Sequence, residues 1–236
     1  VDVRQRVSAA EFRRLLALPV NTALPFHWRD GTIARQPVDL VATANRNWSE
    51  AQDYFTGGDW EKWLRSIHQN NLNASIQAIR SRQPDAGLAL DEFLRVIDPA
   101  FPAPRLRLNP ASLDAGMIPW KMTRELTLNV ENSGSGCLKG RFTNLPAAFQ
   151  VEPVEFVTHA ACQVKVKIDT SLLSPSAQAQ TEYLKVDAGA GGQGRLRIKF
   201  LVPEPELVVE GPDLDFGEVF RGEELSYLFQ VRNKGG

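Results

Sequence analysis

Cysteine is nearly absent: Cys137 and Cys162 are the only thiols in 236 residues. That excludes a disulfide scaffold and favours a reducing compartment. Histidine is equally sparse, with only His27, His68 and His159, so a zinc centre lacks the paired short ligand spacings that structural sites use. Net charge is missing as well. Twenty-seven Lys and Arg oppose 28 Asp and Glu, and the balance is local, 13 against 12 through residue 105 and 14 against 16 beyond it. Bulk charge therefore gives no case for a nucleic-acid partner. No apolar run approaches the roughly 20 residues that cross a bilayer, and no basic-then-apolar leader opens the sequence, so no membrane insertion is expected.

What is present is a repeat. Pro102, Pro104 and Leu106 return as Pro203, Pro205 and Leu207; Leu113, Asp114 and Gly116 as Leu214, Asp215 and Gly217; Val130, Asn132 and Gly134 as Val231, Asn233 and Gly235. Each return comes 101 residues later without a gap. A period of that length means whole domains in tandem rather than a solenoid. The second copy is incomplete at residue 236, which reads as a piece of a longer array.

Residues 1–100 follow helical grammar. Ser8 and Glu11 form a capping box ahead of Phe12, Leu15 and Leu16, and Pro19 closes that helix. Pro37 opens a second helix, Trp48 to Phe55 make a third stopped at Gly57 and Gly58, and Asp59 caps a fourth through Ile67. Two more are expected over 72–82 and 88–97, and Asp30-Gly31 suggests a small hairpin between the first two helices. Trp48, Trp60 and Trp63 crowd into this part and read as bundle core rather than a peptide groove.

Pro99, Pro102 and Pro104 mark a stiff joint, because successive prolines forbid helix. Beyond it the period falls from 3.6 to 2. Leu126, Leu128 and Val130, then Cys162, Val164, Val166 and Ile168, then Leu196, Ile198, Phe200 and Val202 alternate with polar residues. Further strands are expected at 105–109, 113–118, 138–143, 149–156 and 182–187. The fold class is multidomain α plus β: a helical domain at 1–100, an immunoglobulin-like β-sandwich at 101–203, and the first strands of a second such repeat at 204–236.

Asn109-Pro110, the Leu113-Asp114-x-Gly116 element and a strand ending in Asn132-x-Gly134 resemble the immunoglobulin-like repeats of the abnormal-spindle and hydin type. Those repeats are relatives of major sperm protein and PapD-like domains. The resemblance covers residues 105–236. The Asp-Phe dipeptide typical of the family stands at Asp215-Phe216 in the second copy and as Asp114-Ala115 in the first.

No reactive constellation is legible, so no enzymatic activity and no cofactor are expected. Gly189, Gly191 and Gly194 satisfy G-x-G-x-x-G, but an alternating strand follows instead of the helix that would hold a phosphate. An enzymatic reading would need converging polar groups around His27, Trp28 and Asp30. Charge distribution says more. Strands at 138–143, 182–187 and 195–202 would be neighbours in one sheet, with Lys139, Arg141, Lys185, Arg195, Arg197 and Lys199 outward and Asp187 opposing them. Related major sperm protein domains bind acidic peptides on such a face, which implies an acidic protein segment as partner.

Met117, Ile118 and Trp120 form an apolar run at an inter-strand turn and are expected to dock against the helical domain. Residues 204–236 are too few strands to stand alone. Where ordered, they are expected to pair with the preceding sandwich or with a second chain, giving a strand-exchanged homodimer. The expected role is a non-catalytic interaction or spacer region of a larger bacterial, cytoplasmic protein. The alternative is an extracytoplasmic adhesive or carbohydrate-binding array.

Overall fold

The computed structural model describes residues 24–210, 217–222, 224, 226 and 228–233. The helix expected from Ser8 to Pro19 lies outside the described residues, as does Leu214 to Phe216. Two compact units are present, Val1–Pro99 and Ala100–Gly236.

In the first unit, β1 (Phe26–His27) and β2 (Ile33–Ala34) form the small hairpin, turned at Gly31 with φ +85°. Five helices follow: α1 (Pro37–Arg46), α2 (Trp48–Gly57), α3 (Asp59–Ser66), α4 (Asn70–Arg82) and α5 (Ala86–Ile97). Pro37 starts α1, and the Asp39 carboxylate accepts the N–H groups of Arg35 and Gln36 at 2.8 and 3.0 Å. Asp59 does not cap α3. Gly58, left-handed at φ +84°, both ends α2 and precedes α3, so Asp59 is already the first helical residue and pairs with Lys62. Asp85 caps α5 by accepting from Leu88 N at 2.9 Å.

The tryptophans are core. Trp28, Trp60, Phe55 and Phe93 form a chain of edge and tilted ring contacts, with Trp28 and Trp60 centroids 6.0 Å apart. Trp63 is buried with its indole N–H donated to the Leu24 carbonyl at 2.9 Å. Glu61 is buried too, and is satisfied by Arg80, whose guanidinium lies 4.9 Å from the Phe55 ring centroid. Removing Arg80 would strand the buried Glu61 charge.

The second unit is a two-sheet sandwich. Its strands are β3 (Leu106–Asn109), β4 (Ser112–Met117), β5 (Thr123–Asn132), β6 (Leu138–Thr143), β7 (Phe149–Glu152), β8 (Glu155–Thr158), β9 (Ala161–Asp169), β10 (Gln180–Asp187) and β11 (Gln193–Leu201). One sheet runs β3-β5-β9-β7 and the other β4-β11-β10-β6-β8. All pairs are antiparallel except β4 with β11. The leading strand thus splits between the sheets, β3 in one and β4 in the other, an immunoglobulin-like arrangement. The strand expected over 149–156 is two strands in different sheets. Pro153, which has no N–H for a ladder, lies where the chain crosses.

Both repeated motifs have local physical roles. The Asn132 side chain accepts from Arg105 N at 2.9 Å and Gly134 N at 3.0 Å, and donates to the Gly136 carbonyl at 3.0 Å. It thereby clamps the proline segment against the turn after β5. Gly134 is needed there because a Cβ would sit 2.3 Å from the Ala103 carbonyl oxygen. Asp114 accepts from Gly116 N at 2.9 Å, and Gly116 is left-handed at φ +64°. Ile118 belongs to the sandwich core, buried with its N–H donated to the Leu201 carbonyl at 2.8 Å, whereas Met117 and Trp120 are exposed.

After the sandwich come β12 (Leu207–Glu210) and β13 (Gln230–Asn233). The expectation that they pair with the preceding sandwich is corrected. They pair with each other as a separate two-stranded sheet, because their own antiparallel ladder satisfies the backbone groups between them. Leu207 faces Asn233 and Glu210 faces Gln230, which is the β3–β5 register of Leu106 with Asn132 and Asn109 with Asn129 moved by 101 residues. Gly217 at φ +57° likewise matches Gly116.

Two outcomes follow for stability. Asn132→Ala removes three hydrogen bonds around a packed turn and should cost about 2–3 kcal/mol in urea unfolding of the sandwich, with Gly134→Val at least as severe. The Asp39 carboxyl is held below its ordinary value of 3.8 chiefly by the Arg35 N–H, with burial opposing. Its stabilisation is therefore present above the unfolded value and lost as pH falls through the lower folded one. Asp39→Asn should flatten the acid limb of helical-unit unfolding, followed by circular dichroism.

Candidate interaction surface

The outer face of β4-β11-β10-β6-β8 is fixed by what its strands bury. Leu196, Ile198 and Phe200 of β11 and Leu184 and Val186 of β10 point into the core, so their neighbours must point out. Register places Lys185 beside Arg195, Tyr183 beside Arg197, Thr181 beside Lys199 and Asp187 beside both Arg141 and Gln193. Lys139 and Arg141 continue the face on β6. The structure thus brings Lys139, Arg141, Lys185, Arg195, Arg197 and Lys199 onto one exposed surface.

Two acidic members of this face are not evident in the sequence. Asp114 lies beside Lys199, and their charged groups are 3.9 Å apart. Glu155 lies beside Arg141 on β8, and Tyr183 is exposed between the cationic rows. Recognising Asp114 and Glu155 requires knowing that β4 and β8 join this sheet, which is a matter of topology and not of alternation. Two depressions mark the surface. One of about 370 Å³ is lined by Thr143, Lys185, Asp187, Gln193 and Arg195, and another of about 220 Å³ by Lys139, Arg141, Glu155 and Asp187. Asp187 borders both, with one oxygen accepting from Gly189 N at 3.0 Å.

Only Lys199 among the six cations forms an ion pair within the described residues. Six cations against Asp114, Glu155 and Asp187 leave an excess of positive charge on this face that an anionic partner can relieve.

The other sequence candidates resolve differently. Gly189–Gly191 is a single 3-10 turn running into β11, so no helix N-terminus follows the glycines. Asp30 accepts from Thr32 N at 2.8 Å and Asn47 Nδ2 at 2.9 Å, bonds that lower its pKa and fasten the hairpin to α1 and α2. Its neighbour Trp28 is buried, while His27 points out. His159 Nδ1 lies 2.7 Å from the Gly136 carbonyl. Cys137 and Cys162 are not joined in a disulfide. Lys121 lies over the Trp120 ring at 4.4 Å. Among the described residues, no three His, Cys, Asp or Glu side chains are grouped to hold a metal ion, and no helix is long and apolar enough to cross a membrane.

No protein-family model matches the chain, and no curated protein matches it in sequence. Among solved structures it is similar to PapD-like domain 7 of human CEP192, at 14% identity and TM-score 0.37, over 44% of this chain and 89% of that one. It is similar to SSP-19, a major-sperm-protein-like domain of Caenorhabditis elegans, at 11% identity and TM-score 0.32, over 41% of this chain and all of the other. The periplasmic chaperone SfaE is similar at 15% identity and TM-score 0.31, over 41% of this chain and 56% of its own length.

The Lys199–Asp114 pair is exposed on both sides and adds little to folding. Asp114→Asn should change sandwich stability by less than about 0.5 kcal/mol in urea titration, since its bond to Gly116 N survives in the amide.

Proposed function

We propose that this chain is a non-catalytic protein-interaction region whose sandwich recruits an acidic protein segment on the face formed by β6, β10 and β11. The observation that carries this reading is the set of five cations on that face, Lys139, Arg141, Lys185, Arg195 and Arg197, that form no ion pair among the described residues. An acidic segment lying along the strands would meet Arg195, Arg197 and Lys199 at alternate residues, a spacing near 7 Å that matches the side chains on one face of an extended peptide.

The transferred register of β12 and β13 supports a second repeat of the abnormal-spindle and hydin type beginning at residue 204, so that the β part acts as a tandem array. The stiff segment at Pro102 and Pro104, held by Asn132, would then serve as the joint that recurs at Pro203 and Pro205. Two unbridged cysteines are in keeping with a reducing, cytoplasmic setting.

A fluorescent nonaglutamate peptide is the direct probe. Its affinity should fall as salt rises from about 50 to 300 mM, because the contacts are exposed and screened. Arg195→Glu, Arg197→Glu and Lys199→Glu together should weaken it by at least about tenfold, whereas Asp187→Asn should strengthen it. Binding that ignores both salt and charge reversal would rule the basic face out.

A further inference from the structure

We propose that the depression between Lys185 and Arg195 is a phosphate site, which takes a phosphorylated serine or threonine carried by the acidic segment. The site rests on the acidic-segment reading of the same face and specifies what that face prefers. Register sets Thr143 beside Lys185 and Lys185 beside Arg195, so one residue from each of β6, β10 and β11 stands in a row across the sheet. With strands about 4.8 Å apart, the row is about 10 Å long. Gln193 completes the rim of a hollow of about 370 Å³. A hydroxyl, an ammonium, a guanidinium and an amide thus border one space, and none of these four side chains has a hydrogen-bond or ion-pair partner among the described residues.

Charge separates this hollow from its neighbour. Around the larger one, Lys185 and Arg195 stand against Asp187 alone. Around the one of about 220 Å³, Lys139 and Arg141 stand against Glu155 and Asp187, which balances them. One oxygen of Asp187 is already held by the Gly189 N–H at 3.0 Å. Arg197, the next outward residue of β11, has Tyr183 and Ser112 beside it and no acid. The positive excess therefore peaks over Lys185, Arg195 and Arg197.

The donor set suits a phosphomonoester better than a carboxylate. A glutamate brings one charge and two oxygens, enough for the guanidinium fork of Arg195 and little else. A phosphorylated hydroxyl brings a charge of about −1.5 to −2 at pH 7 and three oxygens, which take the fork, the Lys185 ammonium and the Thr143 hydroxyl together. An extended segment along β11 sets the residues of one face about 7 Å apart. A phosphorylated residue over Arg195 then leaves the next two such positions, over Arg197 and Lys199, for glutamates.

Fluorescence anisotropy of the 236-residue chain with labelled peptides tests this. One peptide carries phosphoserine at the centre of eight glutamates, and decaglutamate, of about the same charge near pH 7.5, is the control. The phosphopeptide should bind about tenfold more tightly. Its advantage should shrink to about threefold or less near pH 5.5, because a phosphate with a second pKa of about 6 takes up a proton there while glutamates at about 4.3 stay ionised. Thr143→Val should cut the advantage at least about threefold with decaglutamate affinity unchanged, and Arg195→Lys should cost the phosphopeptide more than decaglutamate. Arg141→Ala, in the other hollow, should weaken both alike. Equal affinity for the two peptides near pH 7.5 would overturn the phosphate site alone, whereas failure of both to bind would sink the basic-face reading with it. An advantage unmoved by pH or by Thr143→Val would also overturn the site, as would capture by vesicles bearing a phosphorylated inositol lipid without preference for the phosphopeptide.

Discussion

Burial of Leu196, Ile198 and Phe200 between two sheets is the constraint from which the candidate surface follows. Successive side chains of a strand point to opposite sides, so enclosing one set obliges Arg195, Arg197 and Lys199 to face outward. At about 25 cal/mol per Å² of apolar area, each enclosed side chain contributes roughly 1.5–3 kcal/mol, more than an exposed cation loses by standing near its neighbours. The core thus holds together a cationic row that electrostatics alone would disperse.

The same economy explains the repeated motifs. Asn132 and Gly134 contribute no chemistry that a partner would use. They bring the proline segment into contact with the turn after β5, where only a residue without a side chain fits beside the Ala103 carbonyl. Asp114 and Gly116 turn the chain where β4 ends beside β11. These are joints of the architecture. Gly217, 101 residues after Gly116, takes the same left-handed turn.

Much of this was legible in the residues, and what was not has identifiable causes. Alternation located β5, β9 and β11 and assigned their wet sides correctly, because strand period is a local property. The helices of the first unit were readable from Pro37, Gly58 and the spacing of aromatics, although Gly58 displaced Asp59 from the cap. Alternation could not show that Pro153 divides one apparent strand between two sheets, nor that Asp114 and Glu155 temper the basic face, since both depend on which strands become neighbours. Ile118 was grouped with Met117 and Trp120 by sequence adjacency. Its burial reflects the bond to Leu201 that draws it beneath the sheet while the other two stay outside. The pairing of β12 with β13 was hidden for a similar reason: strand pattern does not name the partner.

The most direct measurement is the map of backbone amide shifts on adding nonaglutamate to the isotopically labelled chain. Perturbations concentrated on residues 139–143, 183–187 and 193–199, and absent from residues 24–99, are the predicted result. Shifts confined to the helical unit or to residues 207–233, with the basic face untouched at saturating peptide, would contradict the account.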